Sequence, residues 1–263
     1  MEALLLGSGG WMPTDSRETA CTLLREGDRA LAIDAGTAFR HFVTDPELLA
    51  GVERLDVVLT HFHLDHTIGL SYLPGLDVPV EIWAAGRAVA GTPTVDLLHR
   101  LLDPPFLLRS RDEVEEMVAS VHELEPPGAR IGPFDVRLRV QPKHPSRTVA
   151  LRANDVLVHC TDTAYDEENV EFARGARVLV HEAFHAGETT DDAGHTAAGE
   201  AARLAAAAGV ERLVLIHPGP VSGGDDERLA SARPHFAATE VGRDGMRIEL
   251  GDAGAPAAAE VDV

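Results

Sequence analysis

Short apolar runs recur along the chain, and most of them stop at a glycine, an aspartate or a histidine. Ala3 to Leu6 leads into Gly7-Ser8-Gly9-Gly10-Trp11-Met12-Pro13. Runs of this length, bounded by turn residues, read as buried strands, and glycines allow close backbone approach, so this loop is expected to border a pocket. Thr22-Leu23-Leu24 and Ala30-Leu31-Ala32-Ile33-Asp34 predict two strands joined by a hairpin around Glu26-Gly27-Asp28. Further strands are predicted at Leu55 to Leu59, Val78 to Trp83, Gly132 to Gln141, Thr148 to Arg152, Asp155 to His159, Val178 to Ala183 and Arg212 to Ile216. Helices are expected from Thr67 to Leu73, and at Val95 to Leu102 and Asp112 to Val118, the last two separated by Asp103-Pro104-Pro105-Phe106. Ala198 to Ala208 is a run of strong helix formers, with Thr196 as its N-cap candidate. This alternation suits two packed sheets flanked by helices, an α/β protein, although periodicity alone does not supply the topology.

Composition narrows the setting. A chain of 263 residues with 44% hydrophobic content can bury a real core as one large domain or two small ones. No apolar stretch approaches membrane-spanning length, and Leu4-Leu5-Leu6, short and preceded by Glu2, is not expected to act as a signal peptide. A cytoplasmic protein without membrane contact is expected. Cys21 and Cys160 are too few for a disulfide framework or a separate structural zinc site, and they read as reduced core thiols. Net charge is −20, with 43 acidic against 23 basic residues, and Lys143 is the sole lysine. Such a field repels polyanions and disfavours a nucleic-acid partner; it also suits a salt-rich cytoplasm. A small-molecule substrate is the expected partner, and a homodimer stays open.

The densest chemistry is Leu59-Thr60-His61-Phe62-His63-Leu64-Asp65-His66, which follows a predicted strand. Alternate side chains of an extended segment share a face, so His61 and His63 can grip one ion. Asp65 and His66, past the turn, can reach a second. Neutral imidazole and carboxylate suit a borderline cation such as zinc, with manganese also compatible. Three later segments end in similar groups: His144 after Phe134 to Val140, Asp162 after Val156-Leu157-Val158, and His217 after Leu213 to Ile216.

His-x-His-x-Asp-His after a strand, followed in order by His144, Asp162 and His217, resembles the metallo-β-lactamase superfamily over roughly residues 3 to 250. The resemblance implies an αββα sandwich: two mixed β-sheets packed face to face with helices outside, in one domain spanning residues 1–251. Asp252 to Val263 reads as a frayed tail. It also implies two divalent metal ions. His61, His63 and His144 would hold one, Asp65, His66 and His217 the other, and Asp162 would bridge them. Two close metals lower the pKa of a shared water and stabilise charge on a phosphoryl or acyl oxygen.

Within the superfamily the chain looks like the ribonuclease Z-like and phosphoribosyl cyclic phosphodiesterase-like branch. That branch carries a His-Glu-Ala-Thr segment and then Gly-His-Ser-Thr-Ala; this chain has His181-Glu182-Ala183-Phe184 and Gly194-His195-Thr196-Ala197. A carboxylate-held histidine can protonate a departing alkoxide, so His195 and Glu182 join Asp65 as the expected catalytic residues. The arm with which ribonuclease Z grips tRNA is inserted between the third histidine and the bridging aspartate, whereas His144 and Asp162 are 18 positions apart. A small phosphodiester, with cyclic ones included, is therefore expected as substrate, hydrolysed by a cytoplasmic metal-dependent hydrolase. Arg17, Ser146 and Arg147 are candidate substrate contacts, and Phe106 and Leu107 a candidate cover over the pocket. A lactonase or thioesterase on the same core is the alternative, and a non-catalytic metal-dependent binding protein a third.

Overall fold

The protein is described by a computed structural model over residues 1–105 and 118–251. Side chains alternate across each strand, and here both faces are covered, which is why the strands read as nearly continuous apolar runs. In β1 (Glu2–Gly7), Ala3 and Leu5 face the second sheet while Leu4 and Leu6 lie under helices. The same division runs through β2 (Cys21–Glu26), β3 (Arg29–Ile33) and β4 (Arg54–Leu59): Leu24, Leu31, Ile33 and Val58 point inward, and Leu23, Ala32, Val57 and Leu59 outward.

Each sheet has seven strands. The first adds β5 (Val80–Ala84), β6 (Val118–Glu123) and β14 (Met246–Glu249), in the order β14-β1-β2-β3-β4-β5-β6. The second contains β7 (Gly128–Ile131), β8 (Phe134–Gln141), β9 (Thr148–Ala153), β10 (Leu157–Cys160), β11 (Val178–Glu182), β12 (Arg212–Ile216) and β13 (Thr239–Val241), in the order β13-β12-β11-β10-β9-β8-β7. Counted from β14 in the first sheet and from β7 in the second, three antiparallel pairings are followed by three parallel ones. The two halves thus repeat one plan, with the C-terminal β14 completing the first. Val149, Leu151, Val178, Val180, Val214 and Ile216 meet the inner face of the first sheet, and the helix Ala198–Ala208 packs on the outer face of the second. This is the αββα sandwich expected.

Several local expectations shift. Thr67 to Leu73 is not a regular α-helix: one turn, Leu64–Thr67, passes into 3₁₀ helix from Ile68 to Gly75, which contains Pro74. Proline cannot donate to the helix ladder. The N-cap of Ala198–Ala208 is Ala197, because the Thr196 hydroxyl donates to the Thr163 carbonyl (2.5 Å), tying the helix to the Asp162 loop instead. The helix expected at Val95 to Leu102 is present as Thr94–Leu102. Of Asp112 to Val118, only Val118 is described, and it opens β6; Phe106, Leu107 and the tail from Asp252 lie outside the described residues. Among the described residues no helix is long and apolar enough to cross a membrane. Cys21 and Cys160 are buried free thiols, and burial pushes Cys160 up to about 12.

Candidate metal centre

Where parallel strands end, the chain must turn away, and side chains at those ends converge on one edge of the sandwich. Asp34 follows β3, His61 to His66 follow β4, Asp162 follows β10, Glu182 ends β11 and His217 follows β12. Asp34 (φ 63°), Asp162 (φ 49°) and His217 (φ 57°) all adopt the left-handed region. That conformation costs a non-glycine residue about 1–3 kcal/mol, and here it recurs at three chain reversals around one cluster.

The structure brings all of the expected ligand candidates together. Asp162 sits at the centre, 2% exposed. Its Oδ1 lies 3.3 Å from His66 Nε2 and 3.2 Å from His217 Nε2; its Oδ2 lies 3.6 Å from His61 Nε2 and 4.0 Å from His144 Nε2. Asp65 Oδ2 is 3.3 Å from His217 Nε2 and accepts the Trp11 backbone N–H at 2.7 Å. Among the described residues one group of mutually close donor atoms comprises Asp65, His66, Asp162 and His217 and a second His61, His63 and Asp162, while His195 joins His144 and Asp162 in a third and Glu182 and His217 in a fourth. His144 contacts the second side through its ring, 5.0 Å from that of His63.

The donor set suits divalent metal. His61 Nε2 is buried without a hydrogen-bond partner, and the Nε2 atoms of His66 and His217 face each other at 3.2 Å. The opposite nitrogens are held from outside: His66 Nδ1 donates to Asp34 Oδ2 (2.7 Å) and His144 Nδ1 to the Ser146 carbonyl (2.7 Å), fixing the tautomers that leave Nε2 free. Burial lowers His61 well below the usual histidine range, keeping it neutral as a ligand must be. Burial would raise Asp162, but His217, His66 and His61 hold it well below the carboxylate range. The glycine loop borders the centre as expected: a Cβ at Gly10 would come within 2.3 Å of the His217 ring.

Asp34 was not singled out by sequence reasoning. Its only signal is that it too ends a strand, before Ala35-Gly36. Buried, it accepts from the Thr60 backbone N–H (2.7 Å) and hydroxyl as well as from His66. Replacing one oxygen by an amide turns a donor toward these donors. Asp34→Asn should therefore weaken metal affinity by about 10–100-fold, the usual effect of losing a carboxylate behind a ligating histidine. Chelator-competition titration would read this; unchanged affinity would leave Asp34 a purely structural anchor.

His195 lies beside the cluster. Its Nδ1 meets Glu182 Oε1 at 3.0 Å, and its ring lies 5.4 Å from that of His144 and 5.7 Å from that of His217. Glu182 is fully buried and accepts three backbone N–H groups besides, from Thr163, Phe184 and Thr196. Burial opposes the charged form of His195, but Glu182, Asp162 and Asp192 raise its pKa to about 9.

The remaining candidates divide. Arg17 forms a bidentate pair with Asp225 (2.9 and 2.8 Å) and donates to Ser8 Oγ and the Gly242 carbonyl, so it ties the glycine loop down instead of offering a free charge. Ser146 Oγ touches His63 Nε2 at 3.1 Å. Ser146 and Arg147 line a cavity of about 620 Å³ that opens beside His61 and His63 and is closed by Phe62, Pro145 and the segment Arg87 to Gly91. Among the described residues, neither the Arg87 nor the Arg147 guanidinium has a hydrogen-bond or ion-pair partner. Arg87 carries no signal in the sequence.

Sandwich and cluster together define the class, the metallo-β-lactamase fold with metal-ligating side chains gathered at one edge. The chain belongs to the β-lactamase superfamily: the family model described as "Beta-lactamase superfamily domain" matches residues 29–218. Among curated relatives, ribonuclease Z of Cyanothece sp. is 28% identical over 310 aligned positions, covering 95% of this chain and 96% of that protein. Among solved structures, the metallo-β-lactamase fold protein YhfI from Bacillus subtilis superposes with a TM-score of 0.73 at 21% identity, covering 94% of this chain and 98% of that one. A diphosphatase from the PhnP family gives a TM-score of 0.72 at 15% identity, covering 95% and 98%.

Proposed function

We propose that the protein is a metal-dependent phosphodiesterase acting on a small phosphodiester. The observation that carries this reading is the 3.0 Å contact between Glu182 and His195, a pair whose donor atoms adjoin His144, Asp162 and His217 and which the family resemblance does not use as ligands. An acid positioned there has a use when an alkoxide must leave. His61, His63 and His144 would hold one ion, Asp65, His66 and His217 the other, with Asp162 between them; zinc fits this donor set, and manganese is the alternative. Such a pair supplies Lewis acidity to phosphoryl oxygens and an activated water. The protein's own groups do the rest. Glu182 orients and stabilises protonated His195, Asp34 and the Ser146 carbonyl fix ligand tautomers, and Asp65 is held toward the cluster by the Trp11 N–H.

The size of the substrate is argued from the adjoining cavity and from charge. About 620 Å³ accommodates a small molecule. In a chain of net charge −20, two unpaired arginines on its wall provide local attraction for an anion. Between His144 and Asp162 there is only a turn and the β9–β10 hairpin, with no inserted arm. The relatives named ribonuclease Z do not by themselves make RNA the substrate here.

Bis(p-nitrophenyl) phosphate, a lactone panel and acyl thioesters should be compared with metal-loaded enzyme. Hydrolysis of the phosphodiester alone is expected; preference for a lactone or thioester would transfer the assignment to acyl hydrolysis. Arg87→Gln and Arg147→Gln should each raise KM for an anionic diester by about 5–20-fold with kcat little changed, as loss of a ground-state charge contact does. An unchanged KM in both variants would remove the cavity from the substrate path.

A further inference from the structure

Glu182 fixes one atom of the His195 ring, which leaves the ring free to rock about that contact. A second group removes this freedom. The phenyl ring of Phe184 lies face to face with the imidazole, centroids 4.4 Å apart and planes 18° apart. Phe184 is itself held from several sides. Its N–H donates to Glu182 Oε2 at 3.2 Å, and its carbonyl accepts from the Gly219 N–H (3.1 Å), Arg228 (2.8 Å) and the Ser222 hydroxyl. Gly219 makes room for the ring, since a Cβ there would come within 2.5 Å of it.

Arg228 is the largest fully buried side chain among the described residues. Its guanidinium also donates to the carbonyls of Ala183 (3.0 Å), Gly223 (2.6 Å) and Ser222 (3.3 Å). A buried cation is retained at a cost in desolvation, and this one touches none of the ligand candidates. Everything it holds belongs to the two loops around Phe184.

We propose that Phe184 is a positioning residue for His195: its ring holds the imidazole in the plane that presents the proton to the leaving oxygen, and Arg228 fixes Phe184 from behind. This rests on the reading of His195 as the proton donor of a phosphodiesterase. A parallel aromatic face also favours the protonated ring through its quadrupole. The sequence resemblance supports no such role, because the related segment has threonine where this chain has Phe184.

The test uses metal-loaded Phe184→Leu, Phe184→Ala and Phe184→Trp. With an alkyl phosphodiester, kcat should fall by about 10–30-fold in the leucine and alanine variants, the scale of a modest misplacement, with KM within about twofold. With bis(p-nitrophenyl) phosphate the loss should stay below about threefold, because that leaving group departs without a proton. Tryptophan should restore most of the alkyl-ester rate. In a His195→Ala background, Phe184→Leu should have no further effect. Equal losses on both esters, or a full additional loss in the His195→Ala background, would overturn the proposal. NMR of the His195 ring protons gives a readout independent of turnover. Their upfield ring-current shift should vanish in Phe184→Leu and persist in Phe184→Trp; a shift unaffected by Phe184→Leu would show that the stack does not hold the ring. If the stack is present by NMR but His195→Ala leaves every phosphodiester rate intact, it is the phosphodiesterase reading that fails.

Discussion

Asp162→Ala should lose metal as well as activity, falling from the two ions per chain proposed above to less than one and losing at least about 10³-fold in kcat/KM. Among the described residues, Asp162 is the carboxylate whose two oxygens face both halves of the proposed ligand set. One carboxylate oxygen faces His66 and His217 at 3.3 and 3.2 Å, the other faces His61 and His144 at 3.6 and 4.0 Å. Without it, five imidazoles remain with Asp65 as the nearby anion, and the His61 side has no carboxylate of its own in the proposed ligand set. Asp162→Asn is the sharper companion. It preserves volume and can still accept the Thr161 hydroxyl, now 2.7 Å from Oδ1, while removing the charge. Elemental analysis after metal-supplemented expression, alongside circular dichroism to confirm folding, provides the readout. Two ions retained in Asp162→Ala would show that Asp162 does not bridge, and the assignment of ligands to two sites would have to be redrawn.

The parts legible in the sequence are those where several constraints coincide in one short segment. His61 to His66 combine a strand end with alternating ligands, and the strands buried on both faces show as apolar runs without needing their partners to be known. β7, β13 and β14 were not legible: they are three or four residues long and sit at sheet edges, where half-exposed positions dilute the pattern. The order of strands was supplied by the family resemblance. Asp34 was hidden for another reason. Its role depends on His66 arriving 32 positions later to place Nδ1 at 2.7 Å, and no local pattern records that meeting. Arg17 shows the converse. Next to a glycine loop it reads as an anion contact, but Asp225, more than 200 positions away, claims the guanidinium. Long-range pairing decides whether a charge is free, and it leaves little trace in a single sequence.

His195→Ala separates phosphodiester chemistry from generic bimetal hydrolysis. His195 is outside the proposed ligand set, so the variant should keep its metals and its fold. If the imidazolium protonates the leaving oxygen, kcat should fall by about 10²–10⁴-fold on an alkyl diester, the usual contribution of a positioned general acid. The loss should shrink for p-nitrophenolate, which leaves unaided. Glu182→Gln is expected to be less clean. Glu182 accepts N–H groups from Thr163, Phe184 and Thr196 as well as from His195, and it is fully buried. An amide must turn its NH₂ toward some of these donors, so the variant should lose about 1–3 kcal/mol of stability as well as the leaving-group dependence. A melting curve and a pair of kcat values therefore distinguish the two residues: His195→Ala changes the second alone, Glu182→Gln both. Equal kcat losses of His195→Ala on both leaving groups would make His195 a substrate contact rather than an acid. Unchanged rates on every phosphodiester would favour acyl hydrolysis, in which the buried Glu182 serves only to hold the loops of β11 and the helix Ala198–Ala208 together.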